Sequence, residues 1–318
     1  MSTKQGIVDE IYSAYRRNFQ RRPVTITSIY QALQCDLLEL TSIAKHNDGY
    51  KFILVVVNIF SKMTHAIPVK TKNATDVTNA FAKIIKELEF VPKQVQCDAG
   101  GEFWNRKMQK LLKDNGMYLY KSFTTKKAQI AERKIRDIRR LLFKHFNRNA
   151  TYRYVDVLPD IIERLNEQHN RTIGMRPIDV SLENHENLVK RFKKLEKEKL
   201  RRIKRNKKLH FNVGDNVRIS IARSVFSKEY GFSPNWSLET FTVQKVLDTK
   251  PVTYILQDSN NKKILGSFYA EELKKTKYPG IWLISRIIKT DKRKRQHYVQ
   301  FLGESKPRWI PLNDLIDE

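Results

Sequence analysis

Three carboxylates stand where a charge needs a reason. Asp36 lies inside the apolar run ALQCDLLEL (32–40), Asp98 ends VQCD before a glycine pair in VQCDAGGEF, and Glu132 lies in KKAQIAER. A charge inside a strand is costly unless it is paired or bound to metal. Carboxylates offer hard oxygen donors, which suit Mg²⁺ or Mn²⁺, and few are needed because waters and phosphate complete the coordination. Two such ions, about 3.5–4 Å apart, activate a nucleophile and neutralise a leaving oxygen, the needs of phosphoryl transfer. Each residue alone is weak evidence: an Asp at a strand end is often a turn residue, and a lone helical Glu is usually solvated. The triple, in this order and on these elements, is stronger. Asp36, Asp98 and Glu132 are the expected catalytic and metal-binding set, and Gly100 and Gly101 leave room for a substrate backbone.

The elements that must hold them can be read from hydrophobic periodicity. ALQCDLLEL (32–40), KFILVVVNIF (51–60) and HAIPVK (65–70) read as strands, the second buried on both faces. An Asn-Asp-Gly turn signal lies between the first two. NATDVTNAFAKIIKEL (73–88) is a helix capped by Asn73 or Thr75. PKQVQCDAG (92–100) is a strand, NRKMQKLLKDNG (105–116) a helix stopped by Gly116, and MYLYKSF (117–123) a strand. Two helices follow, near 127–147 and 155–170. The order βββαβαβαα is the ribonuclease-H-like order, an α/β fold with a mixed five-stranded sheet, and its crossovers must be right-handed. The first and fourth strands are neighbours in that fold, so Asp36 and Asp98 can share a metal while Glu132 comes from a nearby helix.

The charge narrows the substrate. The 318 residues carry 61 Lys and Arg against 34 Asp and Glu, a net +27. Such a surface attracts polyanions, nucleic acid first and anionic membrane second. No apolar run approaches the roughly 20 residues of a bilayer span, and the first residues lack a secretory apolar core. A nuclear or cytosolic protein is expected. The two cysteines, Cys35 and Cys97, form no C-x-x-C pair and read as buried and reduced. Lys126, Lys127, Arg133, Arg136, Arg139 and Arg140 surround Glu132. Arg136 and Arg139 lie four and seven residues beyond it, on one helical face, where they would grip DNA phosphates. Between 190 and 208 are twelve Lys or Arg and two Glu, including Arg201, Arg202, Lys204 and Arg205, read as a basic linker helix with phosphate contact as a second role.

The motifs resemble the D,D-E integrase core of retroviruses, long-terminal-repeat retrotransposons and, most closely, Maverick/Polinton transposons. QCDLLEL, ILVVVNIFSK, VQCDAGGEF and KKAQIAER carry the likeness, and 33 residues separate Asp98 from Glu132, close to the family spacing. TYRYVDVLPDIIERLNEQHNRTIGMRPIDV (151–180) resembles the end of that core, and the segments from HFNVGDNVRIS onward resemble the family's tail. The departures are Leu33 near a usual Trp, Asn58 for Asp, Ile135 for Asn, and no cysteines for the amino-terminal zinc module. IWLISRIIK, HYVQFLGE and RWIP resemble a chromodomain, whose aromatic cage would fall on Trp282, Phe301 and Glu304. The residues themselves read as a basic arm or short helix (1–28), a linker (183–210) and a strand-rich SH3-like DNA-binding module (211–276), and the resemblance, over roughly 29–318, implies a catalytic core (29–182) and a chromodomain-like module (278–318) closed by a short helix in RWIPLNDLIDE. It implies metal-dependent 3′-end processing and strand transfer with two Mg²⁺ or Mn²⁺ ions, DNA and histone tails as partners, a homo-oligomer, and residence in the nucleus. The alternatives are a catalytically degenerate DNA or chromatin adaptor, favoured by the departures near Glu132, and a ribonuclease-H-type nuclease.

Overall fold

The structure, a computed structural model, describes residues 3–16, 18–97, 100–121, 129–202, 210–221, 234–302 and 306–315. The chain forms two compact units, residues 23–199 and residues 1–22 with 200–318. Helix α1 (Thr3–Tyr12) opens the chain and belongs to the second.

The first unit is built on one sheet. Strands β1 (Ala32–Glu39), β2 (Phe52–Asn58) and β3 (Thr64–Val69) form an antiparallel meander. The Asn-Asp-Gly signal lies just before β2, with Asp48 and Gly49 both at positive φ (52° and 79°). Helix α2 (Ala74–Glu87) then leads to β4 (Gln94–Cys97), and helix α3 (Arg106–Asp114) leads to β5 (Tyr118–Lys121). Both new strands run parallel to β1, giving the order β3-β2-β1-β4-β5. Asn73 and Asn105 start the two helices by accepting the amides of Asp76 (2.7 Å) and Met108 (2.9 Å). Helices α4 (Gln129–Asn149) and α5 (Leu158–Glu167) complete the expected order.

Strand alternation divides the core in two. Phe52, Leu54 and Val56 pack with Leu33 and Cys35 under Val77, Phe81, Ile84, Met108 and Leu112 of α2 and α3. Ile53, Val55 and Val57 pack with Leu38 under Ala131, Ile135, Ile138 and Leu142 of α4. Every residue of β2 is therefore buried, as its unbroken apolar run predicts. Helix α6 (His185–Arg202), in the stretch read as a linker, is packed at its start. Its Leu188 and Phe192 join Ile29, Phe60, Ile173 and Val180 in a smaller cluster.

In the second unit, strands β6 (Asn216–Ile219), β7 (Phe241–Leu247), β8 (Thr253–Gln257), β9 (Phe268–Tyr269) and β10 (Leu273–Lys275) make an antiparallel sheet ordered β10-β6-β7-β8-β9. Strands β11 (Ile284–Asp291), β12 (Gln296–Phe301) and β13 (Arg308–Pro311) make a separate meander. The short helix expected in RWIPLNDLIDE is corrected: RWIP is β13, paired with β12, and only Leu312–Asp314 makes a 3-10 turn. The β-branched and aromatic residues of RWIP, with a proline at its end, favour the extended chain. Helix α1 lies in the segment read as an arm or short helix, and Ile7 and Ile11 are buried. Its Glu10 makes a buried ion pair with Arg218 of β6 at 2.6 Å, and the Arg218 guanidinium also donates to the carbonyls of Ser237 and Leu238.

Burial alone would raise the Glu10 carboxyl. Hydrogen bonds from Arg218, Thr276 and the Lys277 amide, with the Arg218 charge, outweigh it and hold Glu10 below the ordinary carboxylate range. The folded pKa is the lower one, so this stabilisation is present above the unfolded value and is lost as pH falls through the folded value. Glu10→Ala leaves the Arg218 charge buried and unpaired, a loss of about 3–5 kcal/mol. Chemical denaturation followed through tryptophan fluorescence should show that loss at pH 7 and a smaller one once the pH has fallen through the folded Glu10 value.

Candidate functional site

The site is organised by a repeated tripeptide. Gln34-Cys35-Asp36 in β1 recurs as Gln96-Cys97-Asp98 at the end of β4. The parallel register aligns Gln34 with Gln96. Residues 34 and 36 share a face of β1 and Cys35 takes the other. Both cysteines lie in the core beneath α2 and α3, opposite to α4. The described face beside Asp36 thus presents oxygen and amide groups and no thiol.

Gln34 ties this face to α4. Its amide Nε2 donates to Gln96 Oε1 at 2.9 Å. Its Oε1 accepts the backbone N–H groups of Ile130 (2.9 Å) and Ala131 (3.3 Å). These are two of the four amides that open a helix without intrahelical partners. A strand side chain therefore caps the helix that carries Glu132, on the residue immediately after the capped amides. The sequence reading missed Gln34. The signal was available: a buried amide inside an apolar strand, repeated in register with a second Gln-Cys-Asp.

Asp36 is partly buried, and its Oδ1 accepts the Leu37 amide at 2.8 Å. Glu132 is exposed in the first turn of α4. Asp98, Lys126, Lys127, Lys204, Arg205 and Glu304 lie outside the described residues. Among the described residues no group of three or more His, Cys, Asp or Glu is placed to hold a metal, and Asp98, one of the expected three, is not among them. Arg133, Arg136, Arg139 and Arg140 are all exposed on α4. Arg140 lies 3.7 Å from Asp137. Glu132, Arg136 and Arg139 share one ridge by helical spacing, while Ala131, Ile135, Ile138 and Leu142 face the sheet. Arg201 and Arg202 end α6, both exposed.

The aromatic pair near the chain's end is already engaged by a cation. Trp282 and Phe301 lie 6.1 Å apart, nearly edge to face. The Arg308 guanidinium carbon sits 4.5 Å from the Phe301 centroid and 5.5 Å from that of Trp282. This is cation–π geometry within the chain.

The fold's relatives can now be placed. Residues 27–122 match the family model of the integrase core domain. That stretch spans β1 to β5. The first unit has the ribonuclease-H-like fold of an integrase core. An uncharacterized transposon-derived protein of Caenorhabditis elegans, F54H12.3, is 30% identical over 197 residues, 62% of this chain and 64% of that protein. This chain thus spans less than two thirds of that relative's length. A chain of the simian T-cell lymphotropic virus intasome, solved by cryoEM in complex with PP2A regulatory subunit B56 gamma, superposes with a TM-score of 0.56. That match covers 87% of this chain and 92% of that one at 13% identity, a likeness of fold. The β sheets after the core are additions to the ribonuclease-H-like unit.

Gln34→Leu keeps much of the side-chain volume and removes all three hydrogen bonds. It should cost about 1–3 kcal/mol, the range for buried polar groups left unpaired. Hydrogen exchange should quicken at the Ile130 and Ala131 amides while the α2 amides stay protected.

Proposed function

We propose that this chain is a transposon-type integrase that processes DNA 3′ ends and joins them to target DNA by metal-dependent polynucleotidyl transfer. The observation that carries the reading is the Gln34 link, which sets the Glu132 end of α4 against the strand bearing Asp36. The match of residues 27–122 and the transposon-derived relative support it.

Asp36, Asp98 and Glu132 would hold two Mg²⁺ or Mn²⁺ ions. The donor set fits a hard cation, since carboxylates remain on this face while both cysteines lie in the opposite core. Bound there, the ions would acidify an attacking water or 3′-hydroxyl and neutralise the leaving oxygen. Gln34 keeps Glu132 at its station, removing freedom that the reaction would otherwise have to quench. Arg136 and Arg139, on the ridge with Glu132, hold the DNA backbone by its phosphates. Arg133, Arg201 and Arg202 extend the positive surface. In this reading the work is nuclear and proceeds in a homo-oligomer. The likeness of the motifs to Maverick/Polinton transposons supports that group as the source element. The second reading, a DNA-binding adaptor without activity, is favoured by Ile135, which is buried in the core where the family carries a polar Asn.

A strand-transfer assay with Mg²⁺ or Mn²⁺ separates the two. Wild type should yield joined DNA. Asp36→Asn, Asp98→Asn and Glu132→Gln should each lower joining about 10³-fold or more while DNA binding persists. Binding without joining by the wild type leaves the adaptor, and cleavage of an RNA–DNA hybrid alone makes it a nuclease. Arg136→Glu with Arg139→Glu should weaken DNA binding and lower the slope of log K against log salt by about two phosphate contacts.

A further inference from the structure

Strand β5 turns two large aromatic side chains into solvent. It ends the first sheet and pairs with β4. Strand alternation sorts the residues of both strands. Val95, Cys97 and Leu119 pack in the core under α2 and α3. Gln94, Gln96, Tyr118 and Tyr120 therefore take the other face, the face of Gln34 and Asp36. Helix α4 covers that face over β1 and β2, and among the described residues its core holds none from β4 or β5. Tyr118 is 51% exposed and Tyr120 47% exposed. A tyrosine ring is a large apolar surface with one polar tip, and here two of them stand uncovered beside a row of amides.

The register sets the rings in line with the rest of the site. Tyr118 pairs with Gln94 and Tyr120 with Gln96. Gln96 in turn pairs with Gln34 and accepts its side-chain amide at 2.9 Å. One row thus runs Gln34, Gln96, Tyr120 across three strands, two residues along β1 from Asp36. Gln94 Nε2 donates to the Tyr118 hydroxyl at 2.7 Å, which steadies that ring at the sheet surface. Among the described residues no other ring stacks on Tyr118 or Tyr120. Residues two apart on a strand lie about 6.7 Å apart, close to twice the ~3.4 Å step between stacked bases. A single base fits between two rings at that spacing.

We propose that Tyr118 and Tyr120 form a stacking shelf for an unpaired base of the DNA strand engaged at the carboxylates. The place of that strand rests on the integrase reading; the affinity of the shelf for bases does not. Every base has a π face, so stacking on tyrosine tolerates any sequence. Gln94 and Gln96 beside the rings carry amides, the groups that pair with base edges. The net charge of +27 draws a polyanion to the chain. The shelf is continuous with the site, since β5 lies two strand spacings from β1, about 10 Å, or roughly three base steps. A base freed from its pair loses its stacking, and the shelf replaces it. The DNA end is thereby kept open while its phosphate lies at the carboxylates.

Equilibrium binding by the full chain, without divalent metal, tests the shelf apart from any cutting. The probes are a ten-residue oligothymidylate and an abasic chain of the same length, which keeps the phosphates and lacks the bases. Tyr118→Leu with Tyr120→Leu should weaken oligothymidylate binding about tenfold or more and leave abasic binding unchanged. Tyr118→Phe with Tyr120→Phe keeps the rings and should stay within about twofold of wild type. Asp36→Asn should bind oligothymidylate as wild type does. That arm separates the shelf from the catalytic reading, which joining assays decide. Oligothymidylate binding unchanged in the Leu pair, an equal loss in the Phe pair, or an equal loss with the abasic chain overturns the proposal. If the Leu pair changes only the self-association of the free chain, the face belongs to a second copy and the shelf is overturned. Should the Leu pair fail to fold, photocrosslinking of the wild type decides. An oligothymidylate carrying 5-iodouracil should form adducts on Tyr118 or Tyr120; adducts confined to other residues overturn the shelf.

Discussion

A buried primary amide is a demanding object, because leaving it unpaired costs about 1–3 kcal/mol by mutational measures. Gln34 avoids that cost by bonding to Gln96 on the neighbouring strand and to two amides at the start of α4. Those amides have the complementary problem, since a helix's first turn has no partners of its own. Each side solves the other's deficit, and only one placement of α4 over β1 and β4 does so. Glu132 and Asp36 inherit that placement. The positive end of the α4 dipole also lies at Glu132, where it favours a carboxylate.

The rest of the first unit keeps this link in place. β2 is buried on both faces, so it cannot slip by one residue without exchanging its two core faces. α4 presses Ile135, Ile138 and Leu142 onto one face, and α2 and α3 cover the other. The cations follow the same division. Those on the outer ridge of α4 are free to meet phosphate, while Lys62 and Lys134 are enclosed.

Most of this fold could be read from periodicity. The run FILVVVN has no polar position, so it had to be a strand covered on both sides. Val77, Phe81, Ile84 and Ile85 recur at helical spacing behind an Asn cap, and α2 is where they require it. What could not be read depended on contacts between distant segments. Nothing local in Glu10 shows that it will meet Arg218, more than two hundred residues away. RWIP carries a proline that suits either a strand end or a helix start, and pairing with β12 decided it. Trp282 and Phe301 were legible as an aromatic pair, but not the guanidinium of Arg308 beside them. Of the three carboxylates, Asp36 and Glu132 are now placed on β1 and α4, while Asp98 follows the last described residue of β4.

The central claim is that the segments carrying these three carboxylates surround one metal centre. Iron-mediated backbone cleavage tests it most directly. Fe²⁺ takes the place of Mg²⁺, ascorbate and peroxide generate hydroxyl radical at the ion, and mass spectrometry maps the cuts. The account predicts cuts at three segments, near residues 36, 98 and 132, all lost in Asp36→Asn and suppressed by excess Mg²⁺. Cuts confined to one segment, or unchanged in Asp36→Asn, would contradict it.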